Sequence, residues 1–197
     1  DSVADLGCGS GILGLLCLQA GAARLFAIDS TAMIEVARQT LTRAGLAARV
    51  SFIRGHSQRV ELPEPVDVVV CDHVGYFGFD YGIVHTLQDA RRRLLKPGGR
   101  LIPARIKLWL AAIESEDCNH KAEGWKADDV PPEFHWLRHH AANATHGVEV
   151  PRDALLGTPV QVAEIDLRTD NPDLFSWMAE VRIASNGVMH GLIGWFE

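Results

Sequence analysis

The run Val3-Ala4-Asp5-Leu6-Gly7-Cys8-Gly9-Ser10-Gly11-Ile12-Leu13, followed by Leu25-Phe26-Ala27-Ile28-Asp29, constrains the fold more tightly than any other part of the chain. It predicts a buried strand, a glycine turn, a helix and a second strand that ends on a carboxylate. Gly7, Gly9 and Gly11 alternate along the turn, so a backbone without Cβ atoms can bend sharply and lie against a ligand. Asp29, closing the second strand, is placed to accept two hydrogen bonds from a ribose diol. The dinucleotide fingerprint G-x-G-x-x-G does not describe this turn, because the third glycine arrives one residue early.

The same alternation continues to about residue 103. Helices are expected over Ile12 to Ala20, Thr31 to Ala44 and Ile83 to Leu95, with strands over Arg24 to Asp29, Val50 to Arg54 and Val66 to Cys71, and a turn from Lys96 into a strand reaching Ile102. Such alternation implies a mostly parallel Rossmann-type sheet with helices on both faces. Ligands on these sheets sit beyond the carboxyl ends of the strands, where Gly7, Asp29, His56 and Asp72 all fall. Beyond Pro103 the pattern changes to a long apolar strand over Ile106 to Ile113, a polar stretch from Glu116 to Pro151, and strands over Thr158 to Leu167 and Ser176 to Ala184. Asn186-Gly187 then reads as a hairpin turn into Val188 to Phe196. The fold class is therefore α/β followed by a partial antiparallel β-barrel or sandwich, divided into domains 1–103 and 104–197.

At 197 residues the chain has room for one good core with an appendage. The net charge of −6 argues against a nucleic-acid surface and suits a cationic substrate. Arg91-Arg92-Arg93 is the only basic cluster and reads as a solvated helix face. Cys8, Cys17, Cys71 and Cys118 show no C-x-x-C spacing, which suits reduced thiols and a cytoplasmic compartment. No apolar stretch reaches the roughly 18 residues of a membrane span. The chain opens on Asp1 at or inside a strand, as a fragment would.

G-x-G-x-G after an acidic strand end resembles the first motif of class I S-adenosylmethionine (SAM) methyltransferases. Three further stretches narrow the resemblance to the protein arginine methyltransferase family: Phe52 to Pro63, with its G-x-x-x-x-V-E-L-P phrase, Val66 to Tyr81, and Val188 to Phe196. That resemblance implies a SAM-binding Rossmann domain before a β-barrel domain. It implies that Asp5, Gly7, Gly9 and Gly11 shape the methionine end of the cofactor site and that Asp29 holds the ribose. Ser57 and Gln58 would meet the adenine edge, and Cys8, Ile12, Ser30 and Asp72 complete the cofactor set. Gln58 stands where the family commonly has a glutamate, and its carbonyl oxygen can still accept from the adenine amino group.

The family orients its substrate guanidinium with two glutamates on a loop after the fourth strand. Here the loop reads Cys71-Asp72-His73-Val74-Gly75-Tyr76-Phe77-Gly78-Phe79-Asp80-Tyr81. Asp72 stands at the first glutamate position, Tyr81 at the second, and Asp80 next to it but out of register. The resemblance thus implies Asp72 as principal acceptor-orienting carboxylate, Asp80 as its partner and Tyr76 as a pocket wall. Three readings stay open: a shortened carboxylate pair acting on arginine or a related guanidine, a small-molecule amine or phenol acceptor with Asp72 or His73 as general base, and a noncatalytic SAM-binding module.

His120, His135, His139, His140 and His146 match none of the zinc templates, so no metal is expected. Residues 119–150 occupy the place where the family inserts a dimerisation arm. Trp125, Phe134 and Trp136 then read either as anchors in a homodimer or as packing on the β domain. His190 reads as a packed strand histidine.

Overall fold

The computed structural model describes residues 1–197. Five strands form the first sheet: β1 (Ser2–Leu6), β2 (Arg24–Asp29), β3 (Val50–Arg54), β4 (Val66–Cys71) and β5 (Leu95–Ile102), in the order β3-β2-β1-β4-β5. All four pairings are parallel, with Asp5 opposite Ala27 and Asp29 opposite Arg54. The connections are α1 (Ile12–Gln19), α2 (Met33–Arg43) and α3 (Ile83–Arg93). Strand order reverses at β1, so the loops after β1 and β4 diverge around a crevice at the carboxyl edge.

The core forms because β1, β2 and β4 are nearly continuous apolar runs, as a sheet covered on both faces requires. Leu6, Leu25, Phe26, Ile28, Ile34, Leu41 and Leu87 are fully buried, each contributing about 1.5–3 kcal/mol of transfer free energy. Gly14 lets α1 approach the sheet: a Cβ there would lie 2.5 Å from Leu25 and 3.1 Å from an Asp5 carboxylate oxygen.

A second, antiparallel sheet has the order β7-β6-β8, from β6 (Arg105–Ile113), β7 (Val160–Asp166) and β8 (Gly191–Phe196). Trp109 and Trp195 face each other in register and stack with centroids 6.4 Å apart. Between β6 and β7 run α4 (Glu116–Glu123), α5 (Arg138–Ala142) and short 3-10 turns. Ser115 caps α4 by accepting from the Cys118 N–H, and Arg138 pairs with Glu123. No helix is long and apolar enough to cross a membrane. The four cysteines are unpaired.

The chain divides into two compact units, Asp1–Ile106 with Glu164–Phe175, and Lys107–Ala163 with Ser176–Glu197. Residues 164–175 thus join the Rossmann-type unit.

Two local expectations are overturned. Ser176 to Ala184 is not a strand but irregular chain, tied through the Ala184 and Ser185 N–H groups to the Leu156 carbonyl. Its alternation of Ala179, Val181 and Ile183 does not lead to pairing with the second sheet, and Ala179 and Ile183 stay exposed. Asn186-Gly187 is not a type I′ hairpin, since neither residue adopts the positive φ that turn requires. Gly187 serves instead for close approach, because a Cβ there would meet Glu114 at 2.3 Å. The final strand accordingly begins at Gly191.

Candidate active site

A cavity of about 320 Å³ opens at the carboxyl edge of the first sheet, within the size range of small-molecule sites. Of the residues expected to hold a cofactor, Gly7, Asp29, Ser30, Ser57 and Gln58 line it. Asp5, Cys8, Gly9, Gly11, Ile12 and Asp72 do not line it.

Asp29 is 7% exposed. Its Oδ2 accepts from the Gly9 N–H at 2.9 Å, and its Oδ1 accepts from the Thr31 N–H at 2.7 Å and the Thr31 hydroxyl at 2.6 Å. Burial pushes its pKa up, but these three donors and the nearby His73 outweigh burial and leave it below the ordinary value. Asp29 therefore fixes the glycine turn while presenting an ionised carboxylate to the cavity.

Asp5 lies beneath the turn and is 1% exposed. Its Oδ2 accepts from the Gly14 N–H at 2.9 Å, while its Oδ1 has no partner. Burial, and secondarily repulsion from Asp72 and Asp29, push its pKa up to about 7 against the Gly14 hydrogen bond.

Gly7 forms the cavity floor with φ of +72°. A Cβ there would lie 2.2 Å from the His73 imidazole, which places that ring directly over the turn. Gly7→Ala is expected to cost about 1–3 kcal/mol through forced displacement of His73 and the positive φ, read as a lowered urea midpoint together with weakened SAM binding.

The Ser57 and Gln58 loop is held from α3. Arg93 donates to the Ser57 and Val60 carbonyls, both at 2.9 Å, and pairs with Asp89. Arg91 and Arg92 pair with Asp170, and the Asn171 N–H donates to Gln88 Oε1 at 3.3 Å. The arginine run is thus an exposed helix face at Arg92 and Arg93 that also makes ties: Arg93 to the Ser57–Val60 loop, and Arg91 and Arg92 to the returning segment 164–175.

That segment reaches the loop after β4. Phe175 meets Phe79 edge-on with centroids 5.5 Å apart, and Phe79 lies 6.2 Å from Phe77. Phe175→Ala is expected to lower kcat severalfold while leaving SAM affinity nearly unchanged, since it removes about 0.5–1.5 kcal/mol of aromatic contact that positions the loop and Phe175 does not line the cavity. Phe175→Leu should restore part of the loss.

In the loop itself the expected residues take different roles. Asp72 is exposed, and its carboxylate makes no hydrogen bond or ion pair. Asp80 turns back into the loop: its Oδ2 accepts from the Tyr76 N–H at 3.0 Å and its Oδ1 from the Phe77 N–H at 2.8 Å. Slight burial raises its pKa, but those donors prevail and hold it below the ordinary value. Tyr76 meets Tyr81 edge-on, and Tyr81 lines the cavity. The cavity also gathers His56, His73, His85 and Thr86. The last two were missed in the sequence, although they sit in the first turn of a helix that starts at the sheet's carboxyl edge. No three His, Cys, Asp or Glu side chains converge to hold a metal ion.

Comparison with known proteins agrees with this geometry. A family profile described as a methyltransferase domain matches residues 3–99. Protein arginine N-methyltransferase 1 of Schizosaccharomyces pombe is 32% identical over 99% of this chain and 58% of its own length. A probable protein arginine N-methyltransferase 6 of Arabidopsis thaliana is 30% identical over 99% of this chain and 46% of its own. The chain spans about half the length of the curated relatives it matches. Among solved structures, the Trypanosoma brucei PRMT1 enzyme-prozyme heterotetrameric complex with AdoHcy superposes with a TM-score of 0.78 at 22% identity, covering 85% of this chain and 53% of that one. Arabidopsis thaliana protein arginine methyltransferase 10 superposes with a TM-score of 0.70 at 28% identity, covering 85% and 54%. With its glycine turn, strand-end carboxylate and sheet order, the chain carries a methyltransferase-domain match over residues 3–99 and is similar in sequence and fold to protein arginine methyltransferases.

Proposed function

We propose that the chain transfers a methyl group from SAM to a guanidinium nitrogen of an arginine side chain in a protein. The residues fit the cofactor. Asp29 keeps one acceptor site, on Oδ2, for a ribose hydroxyl beyond the three hydrogen bonds it accepts. Gly7, lacking a Cβ, lies against the His73 ring, and Ser57 and Gln58 line the same cavity, where they would meet an adenine edge. When bound, SAM supplies an electrophilic methyl on a sulfonium. Asp72 orients the acceptor: it is a carboxylate on the loop after β4, free of other partners, and it can take two N–H donors from a guanidinium fork. A guanidinium stays charged at physiological pH, so the useful work of this carboxylate is alignment of one nitrogen toward the methyl carbon rather than wholesale deprotonation.

The unpartnered Asp72 carries this reading. A second reading, a SAM-binding module without turnover, is favoured by one observation: Asp80 is committed to the loop's own N–H groups, leaving a single available carboxylate. The test is calorimetric SAM binding by the chain followed by transfer of labelled methyl to an arginine-rich peptide. Binding with transfer supports the enzyme, binding without transfer supports the module, and absence of binding overturns both.

The exposed Trp125, Phe134 and Trp136 on the segment between β6 and β7 support a homodimerisation arm over 119–150. The four unpaired cysteines support a reducing, cytoplasmic setting.

A further inference from the structure

The ends of the cavity differ in what they offer a ligand. In the sheet order β3-β2-β1-β4-β5 its lining runs from His56, Ser57 and Gln58 after β3, through Asp29 after β2 and Gly7 after β1, to His73 after β4. A SAM molecule with its adenine at Ser57 and Gln58 and its ribose at Asp29 carries its methionine tail onward in the same direction, to Gly7 and His73. That tail ends in an α-ammonium and an α-carboxylate. Asp29 gives the cavity a carboxylate, but no lysine or arginine lines it. The backbone of the glycine turn does not fill the gap, because its N–H groups are engaged elsewhere: those of Gly7 and Cys8 donate to the Ile28 carbonyl, that of Gly9 to Asp29, and that of Gly11 to the Cys8 carbonyl.

His73 stands where a donor is needed. The Val74 N–H donates to the Asp72 carbonyl at 2.7 Å, closing a three-residue turn centred on His73. From it the imidazole reaches over the glycine turn tip first: its Nε2 and Cε1 come closest to the place a Cβ on Gly7 would take, at 2.2 and 2.5 Å. The ring is half-buried, and neither of its nitrogens makes a hydrogen bond within the chain. The other two imidazoles of the cavity are exposed, His56 with its Nδ1 accepting from the Gln58 N–H at 3.4 Å and His85 on α3. A neutral imidazole always carries one N–H, and a half-buried donor without a partner carries a free-energy cost that a ligand acceptor relieves. We propose that His73 is a cofactor-binding residue that donates to the α-carboxylate of the methionine tail, and so selects ligands that carry the amino acid over adenosine thioethers that lack it. The inference rests on the reading of the cavity as a SAM site and is independent of which acceptor receives the methyl group.

The test is calorimetric binding of two ligands to the full chain, to His73→Phe and to His73→Gln. One ligand is S-adenosylhomocysteine. The other is methylthioadenosine, which keeps the adenosine and the thioether sulfur but has a methyl group in place of the amino-acid tail. Phenylalanine keeps a ring over Gly7 without a donor, and glutamine restores an N–H at similar reach. His73→Phe is expected to weaken S-adenosylhomocysteine about ten- to a hundredfold, the range of a hydrogen bond to a charged group, and to leave methylthioadenosine within about twofold, with His73→Gln recovering part of the loss. Unchanged binding of methylthioadenosine also verifies that each variant has folded with its cavity intact. Equal loss of both ligands in His73→Phe overturns the proposal, because the ring then supports the cavity rather than the carboxylate. Unchanged or tighter binding of S-adenosylhomocysteine in that variant overturns it as well. If the unaltered chain binds neither ligand, the SAM reading falls and the proposal with it. Selective loss of S-adenosylhomocysteine in a chain that transfers no methyl group upholds the proposal and overturns only the methyl-transfer reading.

Discussion

Asp72→Asn should leave SAM binding nearly unchanged and lower methyl transfer to an arginine peptide by about a hundredfold or more. The two halves of that expectation have separate causes. Asp72 does not line the cavity that gathers Gly7, Asp29, Ser57 and Gln58, so removal of its charge deletes no direct cofactor contact. It is also exposed and unpaired, so the substitution leaves no buried donor without a partner. On the acceptor side, however, nothing replaces it. Asparagine keeps one carbonyl oxygen but loses the charge and the second acceptor, and with them the bidentate grip that fixes a planar guanidinium. Because Asp80 is held by the N–H groups of Tyr76 and Phe77, it is not free to take over. Calorimetry and single-turnover transfer on the same preparation separate the two effects. A variant that binds SAM and transfers at the original rate would remove Asp72 from the reaction. Asp72→Glu, one methylene longer and still charged, should keep measurable transfer.

The contrast between Asp72 and Asp80 marks where the sequence stopped being informative. Both are aspartates in one loop, and their position along the chain predicts a pair. What separates them is competition between an external cation and the loop's own N–H groups, and that depends on how Gly75 to Phe79 curls, not on residue identity. The strands were easier to read. Arg24–Asp29, Val50–Arg54 and Val66–Cys71 have the expected bounds because buried parallel strands are apolar runs with polar or glycine-rich ends. Ser176 to Ala184 failed because alternation gives the period of a strand but not its partner, and the Ala184 N–H goes to the Leu156 carbonyl rather than to a sheet ladder. Asp29 was legible because a strand end fixes its height above the sheet. His85 and Thr86 were not, because they reach the cavity only once α3 has been laid against β4 and β5.

Asp5→Asn should stabilise the chain progressively as pH rises, by about 4 kcal/mol relative to the unaltered protein between acidic pH and pH 8. The folded pKa of Asp5 is about 7 against an ordinary value of 3.8, and each pKa unit corresponds to about 1.4 kcal/mol. Between those values the folded chain binds a proton that the unfolded chain has released. Stability attributable to this group is therefore complete below the unfolded pKa, falls as pH rises toward 7, and levels off above it. Other carboxylates titrate in the same range, but they do so alike in both proteins and cancel in the difference. Asparagine is nearly isosteric with the neutral acid and can still accept from the Gly14 N–H through its carbonyl oxygen, so it imitates the protonated state at every pH. Urea unfolding of both chains from pH 4 to 8 gives the difference directly, and a flat difference would mean that Asp5 is ionised in the folded protein throughout. Cofactor binding should respond with the opposite sign. A cationic ligand on the glycine turn favours the ionised form of Asp5, so SAM affinity should strengthen as pH rises through 7 in the unaltered chain and vary less in Asp5→Asn. With a folded pKa of about 7, Asp5 is divided between neutral and ionised forms near neutral pH in the empty protein, and a bound cation shifts that balance toward the charged form.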